Sequence, residues 1–254
     1  MSTDPGPLIA LWLPALTLPV AYLIGSIPWA YIIVRTVTGE DVTGHGTGNV
    51  GAMNVRRTTG SWFWFTVAMA ADASKGIVPV ALAKLAISGV PLDAGLILRP
   101  WGEVLSAFRL EGIAWGAYSW ATVPAMWVPL LAVAGAVIGH NYSAWMALIK
   151  RRFERTGKGL ATGGGALLAY DWRYFLIVLA VGLLTIAFTK YMMAGQVAAA
   201  ASLPLGALIL RSPDWPFALA MGAFVYAAHH KRFVGLLKGQ EPRLYINDRM
   251  GPRG

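Results

Sequence analysis

The chain has 254 residues, of which 56% are hydrophobic and only 13% are charged, about half of the 25% usual in soluble domains. These proportions argue against a soluble globular domain, because too few polar side chains are present to cover a surface in water. The same composition excludes a disordered chain, collagen and a coiled coil. The 21 Lys and Arg against 12 Asp and Glu give a net charge of +9, and the absence of Cys excludes disulfides, zinc–thiolate sites and thiol nucleophiles.

Long apolar stretches predict membrane-spanning helices, since a hydrocarbon core of about 30 Å needs roughly 20 apolar residues. The first stretch contains no Asp, Glu, Lys or Arg, and it is too long for a cleavable signal, whose leading cations it also lacks. In chain order the predicted spans are 7–34, 61–88, 112–149, 160–170, 174–189, 191–210 and 215–228. The sequence therefore predicts an all-α polytopic membrane protein with about seven transmembrane helices, forming a single integral membrane domain over residues 1–254.

Cations concentrate in three segments between or after these spans. Residues 35–60 hold three Lys and Arg, residues 150–158 hold five, and the tail from residue 231 holds six. With seven spans and the N-terminus outside, all three segments and the C-terminus are cytoplasmic, as the positive-inside rule requires. Topology alone accounts for such basicity; an anionic substrate or lipid headgroup at the same face is the alternative. Nucleic acid is not an expected partner, because no basic helix or aromatic sheet motif accompanies the charge.

The first glycine-rich segment (residues 43–51) reads Thr-Gly-His-Gly-Thr-Gly-Asn-Val-Gly. Its glycines let backbone N–H groups approach an anion closely, and Arg56 or Arg57 adds a bidentate clamp for phosphate. The nearby neutral hydrogen-bonding groups are Thr47, Asn49 and Asn54. This mixture favours a phosphorylated small molecule, and a flexible loop with solvated arginines is the alternative.

The second glycine-rich segment (residues 156–165) contains Lys158 between two glycines, directly before a predicted helix. Helix N-termini attract anions, so this position favours a phosphate. Close helix packing in lipid is the alternative interpretation for the glycines at 163–165. For His140, which precedes this segment, the alternative to a catalytic role is a hydrogen-bonded helix end.

Asp72 and Lys75 lie three positions apart inside the mainly apolar second span, which also carries Lys84. Charges inside a membrane are costly and usually face the bundle interior or a wet cavity, so a functional role is the first hypothesis. A buried ion pair that holds helices together is the alternative. The last cationic segment adds His229, and the basic amphipathic stretch at 231–238 is typical of an interfacial helix.

The sequence carries no signature of covalent or metal-dependent catalysis. None of the four His is followed by Asp five positions later, and G-x-S-x-G, H-E-x-x-H and metal-ligand clusters do not occur. Any acyl or phosphoryl chemistry is therefore expected to proceed by positioning and electrostatics.

Taken together and in order, several motifs resemble the PlsY family, the bacterial acyl-phosphate:glycerol-3-phosphate acyltransferases of the inner membrane. They are Tyr-Leu-Ile-Gly-Ser-Ile-Pro at 22–28, the glycine-rich stretch at 46–58, Asp-Ala-Ser-Lys-Gly at 72–76, Gly-His-Asn at 139–141, Gly-Lys-Gly-Leu-Ala-Thr at 157–162 and, more weakly, 229–243. The resemblance implies a seven-helix fold whose cytoplasmic active site comprises segments 43–60, 139–165 and 229–241. It also implies acyl transfer from acyl phosphate to the 1-hydroxyl of glycerol 3-phosphate, giving lysophosphatidic acid and phosphate, with no cofactor, metal, CoA or carrier protein.

The resemblance further implies roles for individual side chains. Substrate and phosphate binding is expected of Thr47, Asn49, Gly51, Arg57, Lys75, Asn141, Lys158 and Gly159, and catalysis of His229, Asn54 and His140. The proton of the attacking hydroxyl would pass to His229 or to a substrate phosphate, and the sequence favours neither.

The chain departs from the family pattern in three places. Thr47 replaces a Ser, about six mostly cationic residues are added between Asn141 and Lys158, and His230, Arg232 and Gly235 replace the family's Arg, Asn and Arg after His229. An altered acceptor or a loss of activity therefore stays open. Two other function classes also stay open: a transporter for a phosphorylated solute, which predicts interrupted helices in both halves, and a non-catalytic membrane scaffold.

Overall fold

The structure is a computed structural model, and it describes residues 6–87, 123–210, 212 and 215–241. Over these residues the chain forms α-helices and one 3₁₀ turn (Val42–Gly44), with no β-strand. The helices are α1 (Gly6–Gly25), α2 (Trp29–Thr38), α3 (Ala52–Thr59), α4 (Trp62–Ile87), α5 (Val123–Asn141), α6 (Ala144–Lys150), α7 (Leu160–Tyr170), α8 (Trp172–Thr189), α9 (Met192–Ile209) and α10 (Trp215–Leu237). The predicted all-α class is confirmed for this part of the chain.

Within the described ranges, five helical stretches are long and apolar enough to cross a membrane. They are Ala15–Thr38, Trp62–Ala86, Val128–Lys150, Trp172–Thr189 and Met192–Ile209. Each overlaps a predicted span, while the shorter apolar helices Leu160–Tyr170 and Trp215–Ala227 lie where the fourth and seventh spans are predicted. The count of seven and the orientation of the termini stay predictions, and residues 112–122 of the predicted third span lie outside the described residues.

The last helix differs from its prediction. Instead of ending near residue 228 and giving way to a separate interfacial helix, α10 continues without a break to Leu237. The physical reason is that Lys and Arg are good helix formers, so a helix that leaves an apolar environment need not end at the first cation.

The described chain divides into two compact units, the first ending at Tyr170 and the second beginning at Asp171. In the first unit α1 packs against α5 and α4 packs against α7, while α5 also contacts both α4 and α7. In the second unit α9 packs against α8 and α10. The assignment of residues 1–254 to one integral membrane domain stays a prediction.

Glycines let the helices of the first unit approach backbone to backbone. A Cβ at Gly25 on α1 would collide with the carbonyl group of Ala136 on α5. A Cβ at Gly165 on α7 would likewise collide with the carbonyl group of Ala73 on α4. Membrane helices use small residues in this way, because lipid supplies no hydrophobic force to press them together. The packing interpretation of the glycines at 163–165 is therefore supported at Gly165.

The first predicted span is a broken helix. Residues 26–28 separate α1 from α2 within the apolar stretch, and the last of them is a proline. Two carbonyl groups of the break accept hydrogen bonds from side chains elsewhere in the first unit. Ser143 Oγ donates to the carbonyl of Ser26 at 2.5 Å, and Lys75 Nζ donates to that of Ile27 at 2.8 Å. Backbone polar groups at membrane depth need such partners, because no water is available there.

Candidate active site

The first glycine-rich segment folds around the carboxamide of Asn54, which lies on α3 and is 2% exposed. Its Nδ2 donates to the carbonyl oxygens of Val42 and His45, at 2.9 and 3.0 Å. Its Oδ1 accepts from the amide of Thr47 at 3.4 Å. Both ends of the side chain thus hold the loop in place. The contacts show a structural task for Asn54, and its catalytic role stays a prediction.

Gly46 makes the turn in this segment. Its φ is +49°, in the left-handed region, and a Cβ there would collide with Asn54 Oδ1 and lie 3.1 Å from Arg57 Cδ. A glycine is needed for both reasons. Around this turn Thr47 is exposed, whereas Asn49 and Arg57 are partly buried. The first segment therefore forms a turn that packs against α3 through these contacts.

Asp41 connects the start of the first segment to the end of α6. Its Oδ1 accepts from the amide and hydroxyl groups of Thr43, at 2.9 and 2.7 Å, and its Oδ2 forms an ion pair with Lys150 Nζ. Partial burial raises the pKa of Asp41, but the hydrogen bonds from Lys150 and Thr43 outweigh that effect and hold the pKa below its ordinary value. Sequence analysis missed Asp41, although an Asp two positions before Thr is an available Asx-turn signal.

Thr156 joins the two glycine-rich segments through hydrogen bonds. Its carbonyl accepts from the amide of Val50 at 2.8 Å, and its amide donates to the carbonyl of Asn141 at 2.8 Å. Its hydroxyl donates to the carbonyl of His140 at 3.0 Å. The structure therefore brings segments 43–60 and 139–165 together. Sequence analysis missed Thr156, because a single Thr beside Gly-Lys-Gly has no distinguishing pattern.

Lys158 and Gly159 directly precede α7, and Lys158 is half-buried. Gly159 has a φ of +72°, and a Cβ there would lie 3.1 Å from Asn141 Nδ2. Asn141 is 2% exposed, and no hydrogen bond from a described residue reaches its Oδ1. A lysine beside a helix N-terminus is an arrangement suited to an anion, because the unpaired amides and the helix dipole both favour negative charge.

His140 lies at the end of α5, buried against the second glycine-rich segment. Its Nδ1 lies 3.0 Å from Thr162 Oγ1 on α7 and 3.8 Å from Asp72 Oδ1 on α4. A Cβ at Gly157 would collide with its ring at Nε2 and Cδ2. The hydrogen-bonded helix end is thus supported for His140, and a catalytic role stays a prediction.

Asp72 and Lys75 form an ion pair inside the first unit, with Lys75 Nζ 3.0 Å from Asp72 Oδ1 and the side chains only 3% and 4% exposed. The same Nζ donates to the carbonyl of Ile27 in the helix break. These contacts support the interpretation of an ion pair that connects helices. Direct contact of Lys75 with a substrate phosphate stays a prediction.

His229, the predicted proton acceptor, lies on α10 in the second unit, where its side chain is buried. The adjacent His230 is exposed, and its ring centroid lies 6.5 Å from that of Tyr226 one turn earlier. The role of His229 as a base stays a prediction.

Comparison with known proteins decides the family. A family model described as glycerol-3-phosphate acyltransferase matches residues 15–239. The glycerol-3-phosphate acyltransferase of Synechococcus sp. (strain JA-3-3Ab) is 35% identical over 236 residues, which cover 92% of this chain and 95% of that one. The chain belongs to the glycerol-3-phosphate acyltransferase family. A further member, from Thermus thermophilus, is 32% identical over 237 residues, covering 92% of this chain and 95% of its own length.

Solved structures show the same fold. The crystal structure of PlsY, an integral membrane glycerol 3-phosphate acyltransferase, matches in its glycerol 3-phosphate form with a TM-score of 0.65 and in its lysophosphatidic acid form with 0.63. Both are 24% identical to this chain and cover 93% of it, and the matches cover 96% and 95% of those chains. The resemblance to PlsY is confirmed. The present chain is therefore a multi-pass membrane acyltransferase of this family.

Proposed function

We propose that this acyltransferase moves a fatty acyl group from acyl phosphate to the 1-hydroxyl of glycerol 3-phosphate, releasing lysophosphatidic acid and inorganic phosphate. The observation that carries the proposal is the hydrogen bonding of Thr156 to both Val50 and Asn141. Through it, the turn beside Arg57 and the start of α7 beside Lys158 belong to one hydrogen-bonded arrangement. Family membership supports the acceptor, and the chemistry of the segments supports a donor that carries a phosphate.

An acyl phosphate brings its own leaving group, so the reaction needs no nucleophilic side chain. The acceptor hydroxyl oxygen attacks the acyl carbonyl carbon, the bond between that carbon and the phosphate oxygen breaks, and inorganic phosphate leaves. The hydroxyl proton passes to His229 or to a phosphate oxygen. The main work of the protein is to hold two anionic substrates together against their repulsion.

The proposed phosphate ligands come from both glycine-rich segments. Arg57 and Lys158 supply the positive charge. The side chain of Arg57 lies beside the turn at Gly46, Lys158 directly precedes the turn at Gly159, and both cations are partly buried. The remaining polar contacts are assigned to Thr47, Asn49, Gly51, Asn141 and Gly159. In this proposal Asn54 and His140 shape the site through their hydrogen bonds.

The proposed topology has seven spans, an outside N-terminus and a cytoplasmic C-terminus in the bacterial inner membrane. The five long apolar stretches and the two shorter apolar helices of the described residues support this count. In this orientation the three cation-rich segments, and with them both glycine-rich segments, face the cytoplasm.

The donor and the product are tested with purified protein in lipid, labelled glycerol 3-phosphate and either acyl phosphate or acyl-CoA. We expect lysophosphatidic acid and inorganic phosphate in equal amounts when acyl phosphate is the donor, and no product when acyl-CoA is the donor. Product formed only with acyl-CoA would overturn the donor and keep the acceptor. Uptake of label into vesicles without an acylated product would instead favour the transporter.

The phosphate ligands are tested by Arg57→Ala and Lys158→Ala. Each is expected to lower kcat by about 100- to 1,000-fold, because a charge that stabilises the reacting phosphate is lost. Arg152→Ala is the matched control, since this exposed cation of the same region pairs with Glu154 at the surface. Full activity in either test variant would contradict the assignment.

A further inference from the structure

We infer that Lys75 and Asp72 are positioning residues, which tie the break between α1 and α2 to the start of α7 and so set the place of the second glycine-rich segment. The inference rests on the proposed function, since it concerns the geometry of that same site. For Lys75 it replaces the substrate contact predicted from the sequence with a positioning role, and it gives Asp72 a role as the partner of Lys75.

The first end of this connection is the helix break. Lys75 Nζ donates to the carbonyl of Ile27 at 2.8 Å. The preceding carbonyl, that of Ser26, accepts from Ser143 Oγ, which in turn caps α6 by accepting from the amide of Met146 at 3.1 Å. Both carbonyls are therefore held by side chains from elements that flank the site, α4 on one side and the start of α6 on the other. A shift of the break would move all of them together.

The other end is the contact of α4 with α5 and α7. Asp72 is paired with Lys75, and its main-chain carbonyl accepts a hydrogen bond from Thr162 Oγ1 at 2.8 Å. The same hydroxyl lies 3.0 Å from His140 Nδ1. A threonine hydroxyl has one hydrogen, so its donation to Asp72 leaves it to accept from Nδ1–H of His140. This assignment fixes the tautomer of His140, whose Nε2 side faces Gly157.

Backbone packing makes the connection stiff. A Cβ at Gly76 would collide with the carbonyl of Thr162, as one at Gly165 would with that of Ala73. At these two glycines the backbones of α4 and α7 are in direct contact, so no side chain there could rotate to absorb a shift. The ring of His140 packs on Gly157, and its Nδ1 lies 3.8 Å from Asp72 Oδ1, so His140 lies between the ion pair and the residue that precedes Lys158.

Stability alone does not explain the buried pair of Asp72 and Lys75 in this span. A buried ion pair costs so much desolvation that apolar residues of similar volume often replace it without loss of stability. A geometric task accounts for the pair, because Lys75 reaches the carbonyl of Ile27 in the break while Asp72 compensates its charge.

The test compares Lys75→Met and Asp72→Asn with the double variant, measuring acyl transfer kinetics and thermal unfolding. Each single variant leaves one buried polar group without its charged partner, so both melt at lower temperature. The double variant leaves no uncompensated charge and is expected to melt near the wild-type temperature. Its kcat is nevertheless expected to fall about tenfold, and its KM for glycerol 3-phosphate to rise, because the second segment is misplaced.

Wild-type kcat and KM in a folded double variant would overturn the inference. If the double variant does not fold, Thr162→Val serves instead, since it removes only the hydroxyl between Asp72 and His140. A several-fold loss of kcat at a nearly unchanged melting temperature supports the inference, and unchanged kinetics overturn it. An inactive wild type, by contrast, would overturn the proposed function itself.

Discussion

The two glycine-rich segments resemble each other in composition and differ in what the glycines do. In the first, Gly46 adopts a left-handed backbone beside the carboxamide of Asn54, so the glycine makes a turn. In the second, Gly159 also has a left-handed backbone, but Gly165 lies within a regular helix against the carbonyl of Ala73, so this glycine permits close packing. A glycine-rich motif in a membrane protein therefore has at least two physical causes, and only its neighbours distinguish them.

The two segments are also held by different forces. Side-chain hydrogen bonds and an ion pair hold the first, through Asn54 and Asp41. Helix packing and a buried polar contact hold the second, through Gly165 and Thr162. We expect the first segment to respond to polar substitutions and to acid, and the second to added side-chain volume.

The largest effect is expected from Gly165→Ala, because the new Cβ forces α4 and α7 apart. Overpacking of this kind costs about 1–3 kcal/mol of unfolding free energy. Gly163→Ala is the matched control, since a Cβ there would meet only Val137 Cγ2, at an ordinary distance of 3.7 Å. Thermal unfolding in detergent measures both. Equal losses in the two variants would remove the packing explanation.

A somewhat smaller effect is expected from Gly46→Ala, which places a Cβ on a left-handed residue and against Asn54 Oδ1. The backbone conformation costs about 1–2 kcal/mol for an L-residue, and the displaced turn should also lower kcat. Gly44→Ala provides the comparison, because Gly44 has open space around it and no positive φ. The turn explanation fails if Gly44→Ala lowers stability and kcat as much as Gly46→Ala does.

The smallest expected effect is a loss of stability in acid, which arises from Asp41 at the start of the first segment. The folded-state pKa of Asp41 lies below its ordinary value of about 3.9, so the stabilisation is present above that value and is lost as the pH falls through the folded pKa. Because the pair of Asp41 and Lys150 is accessible to solvent, we expect it to contribute about 0.2–1 kcal/mol to the free energy of unfolding. Unfolding of the wild type and Asp41→Asn between pH 3 and 6 measures it. The difference between the two proteins should shrink towards the acid end; a constant difference would contradict the ion-pair explanation.

Much of the fold could be predicted from hydropathy. The second span, predicted at 61–88, is the helix Trp62–Ile87, and the span predicted at 191–210 is Met192–Ile209. The break at residues 26–28 could not be predicted in this way, because a short uncharged stretch of Ser, Ile and Pro does not interrupt the apolar character of the span. Pro28 was the available signal, since the residue before a proline is biased away from helix.

The candidate site was harder to predict. The positions of the two turns, at Gly46 and Gly159, could be predicted from composition, because glycines beside cations are conspicuous in an apolar chain. The bonds that join them, from Val50 to Thr156 and from Lys75 to Ile27, connect residues far apart in the sequence. Such pairs depend on how the helices pack, and no local pattern marks a Thr or a main-chain carbonyl as a partner.

The helix break has a consequence for the order of events during synthesis. Its carbonyl groups are satisfied by Lys75 and Ser143, which leave the ribosome long after residues 26–28. An unsatisfied backbone group in hydrocarbon costs several kcal/mol, so the first span reaches its final form only when α4 and α6 have been inserted beside it. The first predicted span is therefore completed later than the spans that follow it to Ser143.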